Sequence, residues 1–374
     1  MFLKKFFCVL ILLFFSIGFF NQNIFAQSET GLETSKEESL ETIVQNILEE
    51  KQIKPDGAQN YQLYQKLELL VTKGSIRGQK IIVENGNLPV INNIRYKEKD
   101  KLIVISSQDL DGNNLFYISD YIRRDVLFYL FLIFIVLVAV IAKWRGALSL
   151  LGMLISFLVI FYFILPKILS GSDPVLTAIL GSLIIIPVSF LLSHGFNKKT
   201  IVAIIGTFIS LIITGVLAII FVQASKLTGF SSEEAGFLQS IIPGVINIKG
   251  LLLAGIIIGA LGVLDDITIS QSAIVYQLKE ANHELKFTDL YKRAMSVGRD
   301  HISSMVNTLI LVYTGAALPL LLLFINNPHP FSEVINYEIV AEEIVRTLVG
   351  SIGLISAVPI TTLIAVLVIN NQSK

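Results

Sequence analysis

Seven apolar runs, at about 126–142, 146–165, 174–194, 200–222, 248–270, 304–325 and 346–369, fill the last two thirds of this chain. Each approaches the roughly 20 residues that an α-helix needs to cross a ~30 Å hydrocarbon layer. A backbone in hydrocarbon must satisfy its own polar groups, so runs of this length predict helices. The expected fold is an all-α polytopic membrane bundle of about seven transmembrane helices over residues 122–374, preceded by a small, mainly-β domain. Composition agrees, because only 16% of the 374 residues are charged where soluble proteins carry about 25%. Lys plus Arg equals Asp plus Glu at 29 each, so no net field favours nucleic acid as a partner. The expected partner is the lipid bilayer, with a second membrane subunit or a homo-oligomer as a further possibility. A single cysteine, Cys8, rules out an intrachain disulfide and a cysteine metal cage. No phosphate-binding loop occurs, which excludes an ATPase in this chain, and no cofactor or metal is expected.

The first 27 residues carry Lys4-Lys5, an apolar run and a cleavage point after Ala26. They predict a signal peptide, with an uncleaved signal anchor as the alternative because Ile24 occupies a position that favours small residues. Residues 28–121 then fold outside as a β or α+β module, OB-like in outline. A capping box at Thr34 or Ser35, followed by Leu40, Ile43, Val44, Ile47 and Leu48 at helical spacing, predicts a short amphipathic helix. Strands are expected at 67–72, 80–84, 101–106 and 115–119, between turns such as Asn85-Gly86 and Asp111-Gly112. The positive-inside rule places Lys143, Arg145, Lys198, Lys199 and the basic set around 279–299 in the cytoplasm, together with the C-terminus. Arg123-Arg124 is the exception, lying on the outer side. The expected location is a cytoplasmic membrane, crossed several times. In the outer loop at 223–250, Ser231 and Glu234 form a second capping box and start a short interfacial or re-entrant helix.

The stretch 255–319 is where acidic residues meet an apolar segment, and charge in hydrocarbon points to function. Gly255, Gly259, Gly262, Asp266 and Ser270 fall on one helical stripe. Small residues on one face are expected to pack against other helices, which turns Asp266 into the bundle. Asp265 lies about 100° away, on a second polar line with Thr268, Ser272 and Tyr276. On the next helix, which Asp289 is expected to cap, Asp300, Ser304, Asn307, Leu311 and Thr314 share a face, with Arg299 and Thr308 alongside. A buried network joining Asp266 to Asn307 or Arg299 is the expected site. The plainer alternative is that Asp265 and Asp266 end a helix at the cytosolic headgroups.

The run GALGVLDDITIS, with MSVGRDHISSMVNTLILVYTGAALPLLL after it, resembles the YibE/F-like family of multi-pass bacterial membrane proteins. The family pattern corresponds to Gly262, Asp266 and Ser270, then to Gly298, Arg299, Asp300, Asn307, Thr308, Leu309, Gly315 and Pro319. Asp265 stands where the family more often has an apolar residue, so the resemblance selects Asp266. A remoter likeness, to the SecD/SecF and RND exporters, suggests proton coupling. Together these lead to a transporter or permease component that uses a membrane-embedded aspartate for ion or substrate coupling, with no catalytic residue. A membrane scaffold or assembly factor acting through its outer module is the alternative. An intramembrane hydrolase built on an Asp266–Asp300 dyad is the least favoured, because its expected motif context is absent.

Overall fold

The computed structural model describes residues 37–370, apart from 56, 58–59, 90–93, 109–113 and 326–328. The expected signal segment, Cys8 and the Asp111-Gly112 turn lie outside the described residues. The chain divides into two compact units, 1–137 and 138–374.

The first unit is a five-stranded antiparallel sheet in the order β3-β2-β1-β4-β5. Its strands are β1 (Glu38–Ile53), β2 (Gln62–Lys73), β3 (Lys80–Asn85), β4 (Lys101–Gln108) and β5 (Asn114–Tyr121). The edge strands β3 and β5 approach each other, so the sheet curls into a half-barrel. Its core holds Leu40, Val44, Leu67, Leu69, Val71, Val83, Leu102 and Val104. Four strands coincide with those expected, and the helix expected around 34–48 does not form. Its residues make β1, the central strand, bonded to β2 on one side and β4 on the other. Two ladders satisfy its backbone, and Leu40, Thr42 and Val44 alternate into the core. Ile43, which suggested a helical face, is half-buried on the opposite side, and Ile47, beyond a bulge, packs half-buried against the core. Bulges near Glu41, Val44 and Ile47 let this long strand bend.

The helices that follow are α1 (Arg124–Val159), a π turn (Ile160–Ile164), α2 (Leu165–Leu169), α3 (Pro174–His194), α4 (Lys198–Ala224), α5 (Glu233–Ile241), α6 (Ile248–Ala281), α7 (Phe287–Ala316), α8 (Leu318–Ile325), α9 (Phe331–Val334) and α10 (Glu338–Asn370). Among the described residues, five helical stretches are long and apolar enough to cross a membrane: Arg124–Leu169, α3, α4, α6 and α10. The pair α7 and α8, bent by 70°, makes a sixth if it is one span. The first stretch is not straight. Lys143 has φ 51° and ψ −133°, and Gly146 lies so close to Val138 that a Cβ would stand 2.6 Å from its carbonyl oxygen. Residues eight apart on a straight helix are about 12 Å apart along the axis. The chain therefore turns sharply at Lys143, between the runs expected as separate helices.

Helix α6 is the hub of the second unit and packs against α3, α4, α7 and α10. Antiparallel α4 and α10 meet along two rows of small residues at four-residue spacing: Gly206, Ser210 and Thr214 against Thr361, Ala357 and Gly353. A Cβ on Gly206 would lie 2.4 Å from Thr361 Oγ1, and one on Gly353 would lie 2.0 Å from Thr214 Oγ1. Gly181 is likewise pressed against Ile164 of the π turn. Packing is thus the role of Gly206 and Gly181.

Candidate functional site

Two polar features lie along α6. The first is a buried seam. Thr268 Oγ1 and Thr207 Oγ1 are hydrogen-bonded at 2.7 Å, and Ser272 donates to Lys199 O at 2.9 Å. Gln271 Nε2 donates to Ala294 O at 3.0 Å and to Thr362 Oγ1 at 2.7 Å. All five of these side chains, from Thr207 to Thr362, are 0% exposed. The seam therefore ties α4, α7 and α10 to the hub by hydrogen bonds that a purely apolar core would lack.

The second feature is a cavity of about 200 Å³ between α1, α3 and α6. Ser156 and Ile160 line it from α1 and the start of the π turn. Ile186, Ser189 and Phe190 line it from α3, and Ile258, Leu261, Gly262 and Asp265 from α6. Ser189 Oγ donates to Asp265 Oδ2 at 3.3 Å. No ion pair involves Asp265 among the described residues. The carboxylate thus looks into a small space with mostly apolar walls, opposite two hydroxyls. Two irregularities adjoin this space. The π turn is a form that often marks functional positions, and Pro187 lies inside α3 two residues before Ser189. Proline at such a position removes one backbone hydrogen bond from the helix.

The structure reverses the expected burial of the two aspartates. Asp265 is part-buried at the cavity, and Asp266 is exposed. Gly255, Gly259 and Gly262 are exposed too, and a Cβ at any of them would meet no atom within 4 Å. The expected close packing of these glycines inside the bundle is therefore corrected: among the described residues, no helix of the same chain is in contact with this face at Gly255 and Gly259, and Gly262 opens onto the cavity. The hub makes its contacts through Ala260, Leu264, Ile267, Thr268 and Gln271 on its other sides. Asp266 and Arg145 each lie near enough to His194 to act on it electrostatically. His194 ends α3 before Gly195 (φ 76°).

The expected network between Asp266 and α7 does not form. Arg299, Asp300, Asn307 and Thr308 are all exposed, and no hydrogen bond or ion pair joins them to Asp266 among the described residues. Thr308 donates instead to Ser304 O of its own helix at 3.0 Å. One face of α7 is held by Gly298, where a Cβ would lie 2.6 Å from Val358 and 3.0 Å from Gln271. Asp300 and Asn307 consequently point away from the hub. Ser270 is part-buried. Asp289 lies in the first turn of α7, and the cap position belongs to Lys286. Likewise Ser232, not Ser231, caps α5, by accepting from Ala235 N at 3.2 Å. Ser231 donates to Glu342 of α10 instead.

Sequence reasoning missed Ser189, Gln271 and Thr362. Their signal was faint. Ser182 and Ser189 are seven residues apart and so share one face of α3. Among the described residues there is no group of three or more His, Cys, Asp or Glu able to hold a metal ion.

A family model described as YibE/F-like protein matches residues 130–371. No curated protein and no solved structure matches the chain, so the likeness to SecD/SecF and RND exporters finds no counterpart.

Proposed function

This chain belongs to the YibE/F-like family, and from that premise we propose that it is a multi-pass membrane permease component whose coupling group is Asp265. The observation that carries this reading is the carboxylate facing an apolar-walled cavity with Ser189 as its hydrogen-bond donor. A carboxylate held at membrane depth is costly unless it has a task. Uptake and release of a proton or a small cation is the task that such a cavity suits. Asp266, with His194 and Arg145 nearby, stands between this cavity and the helix ends at Gly195 and Lys143, and serves as the relay to the aqueous phase.

Seven crossings follow if the turn at Lys143 separates two spans and the bent α7–α8 pair is one. With a signal segment exporting the β module, seven crossings leave the C-terminus in the cytoplasm of a bacterium. The β3-β2-β1-β4-β5 order supports an OB-like half-barrel on the outer side. Arg123 pairs with Asp120 at 2.6 Å, and Arg124 pairs with Glu41. Those pairings offset the two positive charges that the positive-inside rule would exclude from that side. No enzymatic role is assigned, and the exposed Asp300 lies on the side of α7 turned away from the hub, which disfavours an aspartic dyad.

The test is proton flux into proteoliposomes under an imposed potential, read by an enclosed pH dye. Protein-loaded vesicles should acidify faster than empty ones, Asp265→Asn should return them to the empty rate, and Asp266→Asn should only slow the flux. Unchanged flux in Asp265→Asn would sink the coupling role.

A further inference from the structure

Over 299–308, helix α7 turns polar side chains outward, and exposed apolar residues, Ile310, Leu311 and Val312, follow them. Leu290, Ala294, Gly298 and Leu309 are buried, while Asp300, Ser303, Ser304, Asn307 and Thr308 are exposed. Asp300, Ser304, Asn307, Leu311 and Thr314 follow one another at three- and four-residue steps, so they form one line, polar except for Leu311. The neighbouring α6 runs antiparallel, with Gly298 and Ala294 beside Gln271. Its uncovered Asp266 is therefore level with 299–303, and Gly259 and Gly262 are level with 303–310. Polar side chains at membrane depth face protein or water, not acyl chains. This inference rests on the membrane reading given above.

We propose that the polar line of α7, with the α6 glycine stripe beside it, is the two-fold interface with a second copy of this chain. Copies inserted in the same orientation can be related by a two-fold axis along the membrane normal, so each residue meets its own counterpart at equal depth. The side chains suit that operator. The Asn307 amide both donates and accepts, so it pairs with its own copy. Arg299 and Asp300 are adjacent, so Arg299 of one copy meets Asp300 of the other at nearly one depth, which is the charge complementarity such a contact needs. The uncovered glycines let the backbones approach closely. The chain's own apolar run at 6–20 could also cover this face, but Cys8 and Ser16 are its only polar side chains besides backbone, so it would leave the α7 line unpaired.

The experiment uses full-length protein in native membranes with Cys8→Ser and one added cysteine: Asn307→Cys, Ser304→Cys, or Ile212→Cys on the 66% exposed apolar face of α4. After oxidation, the first two should shift from the 41.4 kDa monomer to a band of twice that mass, and the third should stay monomeric. Monomers at both α7 positions, in protein that alkaline carbonate leaves in the membrane, would overturn the dimer alone. So would crosslinks to a different protein, or rapid labelling of Asn307→Cys by a membrane-impermeant maleimide, which would make the face an aqueous cleft. Release of the protein by carbonate would overturn the membrane reading and the dimer together.

Discussion

Adding one methyl group at Gly353 should destabilise the helical unit. Gly353 meets Thr214 where α4 and α10 pack, and an added Cβ would lie 2.0 Å from Thr214 Oγ1 and 3.2 Å from Thr214 Cβ. An ordinary contact starts at 3.4 Å, so the overlap is about 1.4 Å and cannot be absorbed by small shifts in a close-packed core. Rotating the hydroxyl away offers no escape. Thr214 Oγ1 donates to Ser210 O at 2.8 Å, and Thr214 Cγ2 already lies 3.4 Å from the added atom. The helices must separate, which also loosens the Gly206–Thr361 contact two turns away. Overpacking of this kind costs about 1–3 kcal/mol. At roughly 2–4 °C per kcal/mol for a unit of this size, Gly353→Ala should lower the melting temperature by about 4–8 °C if it costs about 2 kcal/mol. Thermal unfolding of the detergent-purified protein, followed by size-exclusion chromatography, measures it. Thr214→Ala removes Oγ1, the atom in the 2.0 Å overlap, and leaves only the mild 3.2 Å contact with Cβ, so the double variant should recover much of the loss, with a coupling of about 0.5–3 kcal/mol. A Gly353→Ala protein that melts with the wild type, or a double variant no better than the sum of the two singles, would refute the close-packed ladder.

Two predictions concern the β unit. Gln65 is 0% exposed and holds both backbone groups of Tyr96, accepting from its N–H at 2.8 Å and donating to its carbonyl at 3.0 Å. Gln65→Leu leaves both groups buried and unpaired, at about 1–3 kcal/mol each, and hydrogen exchange should show β2 opening more often; unchanged β2 protection would count against it. Glu41 accepts two hydrogen bonds from Arg124, at 2.7 Å and 2.5 Å, and this guanidinium, more than Lys73, holds its carboxyl below the usual value of 4.5. Its folded pKa is depressed, so the stabilisation is present above 4.5 and is lost as pH falls through the lower folded value. Arg124→Gln should therefore weaken β1 protection at neutral pH and make no difference once Glu41 is protonated, and a difference that persists in strong acid would contradict that assignment.

The parts of this fold that are legible in the sequence are those set by composition or by strict alternation. The apolar helices needed only their length, and β2 to β5 announced themselves by β-prone runs between turns. Helix α1 broke where a Lys-Trp-Arg interruption divides two apolar runs. Strand β1 was misread because Leu40, Ile43, Val44 and Ile47 satisfy a helical period while Leu40, Thr42 and Val44 satisfy a strand. Only the partners on both sides decide between them, and those partners are 20 to 60 residues away. The ladder of Gly206, Ser210 and Thr214 against Gly353, Ala357 and Thr361 has visible spacing in each helix, but nothing in either run names the other. Ser189 was invisible for the same reason, since a lone serine in an apolar helix becomes a partner only when α3 is laid against α6.

The aspartate pair shows where such reading fails in principle. A stripe of small residues reports that a helix can be approached closely on that side. It does not report which chain supplies the approaching surface. On α6, the sides turned toward the same chain carry Leu264, Ile267, Thr268 and Gln271, and bulk together with hydroxyl groups is what fills a site shared with several neighbours. The glycines lie on the side that the described residues leave open. Adjacent residues on a helix differ by about 100°, so an error of one side exchanges Asp265 and Asp266. The carboxylate that the stripe seemed to draw inward is exposed, and its neighbour is the one that reaches the cavity and Ser189. The two assignments made here are therefore coupled: if the stripe is covered by a second copy, Asp266 lies at a subunit boundary while Asp265 keeps its cavity within one chain. Loss of flux in Asp265→Asn, together with intact crosslinking at Asn307, is the combination this arrangement requires.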